Sequence, residues 1–206
     1  MRLGVTYCQL CARMTRIFLL DGHPDPSPER FCAALADAYA GGARRSGHEL
    51  RRFDLGSMEF PLLRSKEDFE RGPVPDDAAR VQDAIRWADH IVIIHPMWMG
   101  SQPALLRALF EQVFRYGFVL SQPDDKSSNR LLKGKSAHVV MTMGMPGFVY
   151  RWYYGAHGVR CLAKSLLKFS GVRPVRRTLV GGVEDMPDRR RRKWLSRMQD
   201  AGARAR

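Results

Sequence analysis

Ile91-Val92-Ile93-Ile94, followed by His95-Pro96-Met97-Trp98-Met99-Gly100-Ser101-Gln102-Pro103, decides the fold class of this chain of 206 residues. Four branched apolar residues in succession read as a strand buried on both faces, as in a parallel sheet covered by helices. Pro103 suits the first position of a helix, and Leu105, Leu106, Leu109, Phe110 and Val113 recur behind it at helical spacing. A buried strand running through a Pro- and Trp-bearing loop into a helix is part of a βαβ unit. Open sheets built from such units bind ligands outside the carboxyl ends of their central strands.

The pattern extends to both sides. Arg16-Ile17-Phe18-Leu19-Leu20-Asp21 reads as a first strand, and Gly22-His23-Pro24-Asp25-Pro26-Ser27-Pro28 is too rich in proline to be helical. Phe31, Leu35, Ala38 and Tyr39 mark a helix over about residues 29–46, with Gly47 as its stop. The spacing predicts a second strand over 48–53, a helix over 78–88, the central strand over 90–95 and a fourth strand over 136–143. It then predicts a helix over 159–169, a fifth strand over 175–180 and an arginine-rich last helix over 187–201. Residues 54–77 and 116–135 are connections long enough to serve as lids or binding loops. Five strands alternating with helices, with no GxGxxG after the first, predict an α/β doubly wound parallel sheet in the order 2-1-3-4-5 with helices on both faces.

Residues 15–206 read as one domain and 1–14 as a disordered extension. Cys8 and Cys11 form a CxxC pair in that extension. One such pair, with no second pair and no βαβ context, is a weak redox or zinc signal, so no metal site is expected. The four cysteines read as reduced thiols of a cytoplasmic protein. No apolar run approaches the roughly 18–20 residues of a membrane span. Formal net charge is +13, and residues 151–206 hold 15 Lys/Arg against 4 Asp/Glu, so the basicity is a C-terminal property. It favours anionic ligands. Around Arg189-Arg190-Arg191-Arg192-Lys193 only Trp194 is aromatic, which argues against a nucleic-acid interface.

The loops after strands one, three and four carry the candidate chemistry. The first ends at a helix N-terminus, a phosphate site by virtue of its free N–H groups, with Ser27, His23 and Arg30 as further donors. His23 reads equally as a surface turn residue. Met97, Trp98 and Met99 offer a flat, polarizable wall for a stacked ring, or a cap on the core, and Gly100 allows close backbone approach. Thr142, Met143 and Gly144 could read the polar edge of a heteroaromatic ring. Tyr150 and His157 add a phenol and an imidazole for charge stabilisation and proton transfer. The bland alternatives are an aromatic anchor for Tyr150 and a helix-start neighbour for His157.

Gly22-His23-Pro24…Phe31, Pro96-Met97-Trp98…Pro103-Ala104-Leu105-Leu106 and Thr142-Met143-Gly144…Tyr150…Gly155-Ala156-His157-Gly158 together resemble the NAD(P)H:quinone oxidoreductase family of flavodoxin-like flavoproteins. That family includes ancillary subunits of glutathione-gated potassium efflux systems. The resemblance implies a flavodoxin-like fold, a bound flavin (FMN, or FAD), and two-electron transfer from NAD(P)H to a quinone by a ping-pong route. It also implies a homodimer and, as an alternative role, a redox-sensing regulatory subunit of a membrane transporter. Carried over by position, His23 and the helix start at Arg30-Phe31-Cys32 would hold phosphate. Pro96, Met97, Trp98 and Met99 would line the flavin ring, Thr142, Met143 and Gly144 its polar edge, and Tyr150 and His157 would stand beside it as the catalytic pair.

Overall fold

A computed structural model describes residues 14–119 and 132–206. Residues 1–13, with the CxxC pair, and the centre of the 116–135 connection lie outside the described residues. Five strands form one all-parallel sheet: β1 (Arg16–Asp21), β2 (Glu49–Asp54), β3 (His90–Pro96), β4 (Ser136–Met143) and β5 (Val175–Gly181), in the order β2-β1-β3-β4-β5. The predicted order holds, with β3 central.

The apolar run that predicts β3 explains its place. All seven of its residues are buried, because helices cover both faces of the sheet there. Side chains alternate between two cores. Ile91 and Ile93 join Val139 and Met141 on one face, while Val92 and Ile94 join Ile17, Leu19 and Val140 on the other. The second face is covered by α1 (Phe31–Arg45) and by α7 (Asp188–Ala203), packed on each other through small residues. A Cβ on Gly42 would lie 1.9 Å from the carbonyl oxygen of Gln199, so the two backbones approach as closely as glycine allows. The first face is covered by α3 (Asp76–Trp87), α4 (Ala104–Val113) and α6 (His157–Cys161), which runs on as a π-helical stretch over Leu162–Lys168.

Two short helices interrupt stretches that read as loops. α2 (Lys66–Arg71) is a six-residue helix with no buried residue, held by the Ser65 hydroxyl accepting from the Asp68 amide (3.0 Å). It has no apolar stripe to betray it. α5 (Gly147–Trp152) lies inside the aromatic connection and buries only Tyr150. Among the described residues no helix is long and apolar enough to cross a membrane.

Candidate active site

The loops after β1, β3 and β4 meet at the carboxyl ends of the three central strands. The first is built from its own sequence alternation. Asp21 accepts from the His23 amide (3.1 Å), the His23 ring accepts from the Asp25 amide (3.0 Å), and Asp25 accepts from the Ser27 amide (2.9 Å). The intervening residues, Pro24, Pro26 and Pro28, have no N–H. Every amide between His23 and Pro28 is therefore consumed or absent. The donors left for an anion are those of the first turn of α1. Arg30, its N-cap, gives no side-chain cap, and no acidic residue stands in that turn. The amides of Phe31, Cys32 and Ala33 point out of the helix end, where the dipole favours negative charge. The phosphate-competent element is thus narrower than the whole loop.

Several expected side-chain roles change. The Arg30 guanidinium is ion-paired with Asp25, its Nε 2.7 Å from the carboxylate, so it is not a free cation. The Ser27 amide and, second, Arg30 hold the Asp25 carboxyl below its ordinary range. The Cys32 thiol lies in the core, 3.3 Å from the Thr142 hydroxyl, so the two side chains partner each other, and the Thr142 carbonyl is taken by the Met97 amide (2.7 Å). Burial, partly offset by Thr142, pushes the Cys32 thiol up to about 12. Cys32 should therefore resist alkylation at pH 8 while exposed Cys161 reacts, a contrast read by peptide mass mapping; equal labelling would contradict this packing. The Met143 side chain is core as well.

Trp98 and Ser101 exchange backbone hydrogen bonds of 2.9 Å across Met99 and Gly100, both at positive φ (48° and 78°). This is a two-residue turn of the type that needs left-handed residues at both central positions. Gly100 supplies that conformation readily; Met99 is a strained exception. Met99 projects fully into solvent and Trp98 is 49% exposed, so the apolar wall consists of Pro96, Met97 and Trp98, with Met99 at its rim. The His23 ring meets Trp98 edge-on at 6.2 Å, joining the first loop to the turn. The His23 Nδ1 lies 3.0 Å from the Asp25 amide and 3.1 Å from the Asp25 carbonyl, so the ring is held in the turn with its Nδ1 occupied.

Tyr150 is the anchor of the third loop. Its hydroxyl donates to the Gly100 carbonyl (2.9 Å) and accepts from the amides of Gly158 (3.1 Å) and Val159 (3.4 Å). The ring is 1% exposed, and burial raises the phenol above its ordinary value. With its proton committed to Gly100, Tyr150 is a positioning residue that clamps the Trp98 turn to the start of α6. This corrects the expectation of a phenol free to act. His157, the first residue of α6, is exposed and folds over Gly155. Glu184, after β5, approaches the Gly144 edge: a Cβ on Gly144 would lie 2.7 Å from its carboxylate. This fourth loop is not among the three that the sequence marks. Gly144 and Met145 donate no backbone hydrogen bond among the described residues, so the edge keeps free amides.

Fold and strand-end geometry define a doubly wound sheet with an anion-competent helix start beside an aromatic turn. A family profile for the flavodoxin-like fold matches residues 15–201, and the chain belongs to that family. It is 26% identical over 181 residues to an uncharacterized NAD(P)H oxidoreductase of Haemophilus influenzae, covering 86% of this chain and 89% of the relative. It is 28% identical over 127 residues to an FMN-dependent NADH:quinone oxidoreductase of Ruegeria pomeroyi, covering 54% and 62%. Among solved structures, the NAD(P)H:quinone oxidoreductase of Methanothermobacter marburgensis superposes with a TM-score of 0.75 at 24% identity, covering 92% and 96%.

Proposed function

We propose that this protein is an FMN-dependent NAD(P)H oxidoreductase that reduces quinones or similar acceptors in a ping-pong cycle. The observation that carries the reading is the convergence of an uncapped first turn of α1, the Trp98 turn and the free amides at Gly144 on one set of strand ends. The residues present fit the cofactor. The Phe31–Ala33 amides suit a terminal phosphate, Pro96, Met97 and Trp98 a flat ring, and Gly144 and Met145 a polar ring edge. When bound, FMN supplies a two-electron carrier between nucleotide and acceptor. The protein's part is to orient and to manage charge. Tyr150 fixes the turn, and His157 donates or accepts a proton at the exposed mouth. The named relatives support the same chemistry.

A second copy of the chain completes the site in this reading. Trp98, Met99, Phe148, Trp152, Tyr153 and Tyr154 are large and exposed, and all sit on the two loops that frame it. A patch of this kind marks an interface.

Replacing His157 with Ala should lower kcat for quinone reduction by about a hundredfold, the low side of general acid–base effects. Retained FMN and unchanged anaerobic reduction by NAD(P)H are expected alongside. Stopped-flow measurement of the two half-reactions checks this. An unaffected quinone half-reaction removes His157 from the mechanism. Negligible quinone turnover by flavin-loaded wild type would favour a redox-sensing regulatory subunit.

A further inference from the structure

At the end of the sheet opposite the candidate active site, the amino ends of β4 and β5 and the C-terminal turn of α7 line an open pocket of about 520 Å3. Five arginines line it: Arg176 and Arg177 from β5, Arg197 from α7, and Arg204 and Arg206 from the tail after it. Asp200 is the one carboxylate side chain on its wall. The excess is four positive charges, or three with a carboxylate at Arg206. None of the five guanidiniums makes an ion pair among the described residues, although arginines elsewhere in the chain pair with Asp25, Asp37, Asp54 and Asp89.

Buried histidines fix the tail that brings two of these arginines in. The His48 Nδ1 accepts from the Thr15 amide, which leaves its Nε2–H to donate to the Ala203 carbonyl (3.1 Å). The His138 Nδ1 donates to the Arg206 main-chain oxygen (3.0 Å), since that oxygen can only accept, and its Nε2 accepts from the Thr178 hydroxyl (2.8 Å). His48 and His138 are both 7% exposed. The tail is therefore pinned to β4 through His138 and to the start of β2 through His48, which brings Arg204 and Arg206 into the same pocket lining as Arg176. Concentrating unpaired guanidiniums in this way costs self-repulsion unless an anion neutralises it. Arginine forks are matched to phosphate oxygens in planar, two-point contacts. The volume exceeds what a single phosphate fills.

We propose that this pocket is a binding site for a free oligophosphate, a ligand carrying a diphosphate unit or longer, separate from the strand-end site. Arg176 and Arg204 clamp it from opposite walls, and Arg177, which also lines the neighbouring groove along β5, leaves one side open to a substituent on the phosphate chain.

The test uses the full chain loaded with FMN, titrated calorimetrically with inorganic pyrophosphate at constant ionic strength. One saturable site is expected. The exposed-residue variant R176A/R204A should weaken pyrophosphate at least tenfold with flavin content unchanged. R189A/R192A removes the same charge from the solvent side of α7, outside the pocket, and should change affinity less than twofold. In parallel melts, pyrophosphate should raise the unfolding midpoint of the wild type and not that of R176A/R204A. The proposal is overturned if both variants weaken binding equally, which assigns the effect to the general basic field. It is equally overturned if neither variant weakens binding, or if pyrophosphate acts no differently from chloride at matched ionic strength.

Discussion

Lowering the pH from 6.5 to 4.5 is expected to remove about 4 kcal/mol of folding stability through two buried histidines alone. His95 is completely buried at the end of β3, and burial holds it down to about 4 although its Nδ1–H donates to the Pro96 carbonyl (2.9 Å). His90 opens the same strand at 2% exposure; burial, with His138 and Arg176 nearby, holds it down to about 3. The Nε2 of each has no hydrogen-bond partner among the described residues, while the His90 Nδ1 meets the Ser136 hydroxyl (2.7 Å). The unfolded chain takes up these protons near pH 6.5, the folded chain only near those lower values. The contribution is whole above 6.5 and is lost at about 1.4 kcal/mol per pH unit per histidine as the pH falls. A domain holds only about 5–15 kcal/mol in total, so this is a large share. Asp21, raised chiefly by burial, works in the opposite direction at the acid end. Urea unfolding from pH 7.5 to 4.5 measures the slope. H90Q/H95Q should flatten it, and a wild-type slope near zero would contradict the burial of these rings.

Gly158→Ala should cost at least tenfold in FMN affinity. The new Cβ would lie 2.5 Å from the Ser101 Cα and 2.6 Å from the Gly100 oxygen, backbone atoms of the Trp98 turn. Those atoms cannot rotate aside as a side chain would, so turn and α6 must separate. The separation breaks the Tyr150 clamp, leaving the Gly100 carbonyl and two amides to find other partners at about 1–3 kcal/mol each when buried. Overpacking of this kind typically destabilises by about 1–3 kcal/mol. Fluorescence titration of apoprotein with FMN reads the affinity and a melt reads the stability. Gly41→Ala, inside α1 with only the Arg45 side chain nearby, is the control and should be neutral or slightly stabilising. Unchanged affinity in Gly158→Ala would separate the turn from the cofactor site.

The architecture was legible because it depends on patterns local to each segment. Ile91–Ile94 reads as a doubly buried strand, Gly47 takes the left-handed stop after α1, and Pro103 stands one place earlier than expected, at the N-cap of α4. That the loops after β1, β3 and β4 meet at the strand ends was legible from the strand order. What each side chain does there was less so, because partner choice is tertiary. Nothing in the sequence pairs Arg30 with Asp25, turns Thr142 towards Cys32, or commits the Tyr150 proton to a carbonyl fifty positions away. The alternation of proline with Asp21, His23, Asp25 and Ser27 was a readable signal, since proline lacks a donor and the others accept at two-residue spacing. α2 and α5 escaped because six residues are too few to show a helical period. The tail arginines counted only towards the basic charge of residues 151–206 in the sequence; their meeting with Arg176 in one pocket needs the sheet order.

The central claim is that the strand-end loops hold one FMN per chain. Mass spectrometry of the cofactor released from purified protein, with absorbance to count it, addresses this directly. A yellow protein releasing FMN at close to one equivalent per chain is the expected result. Colourless protein that takes up neither FMN nor FAD when offered them would contradict it.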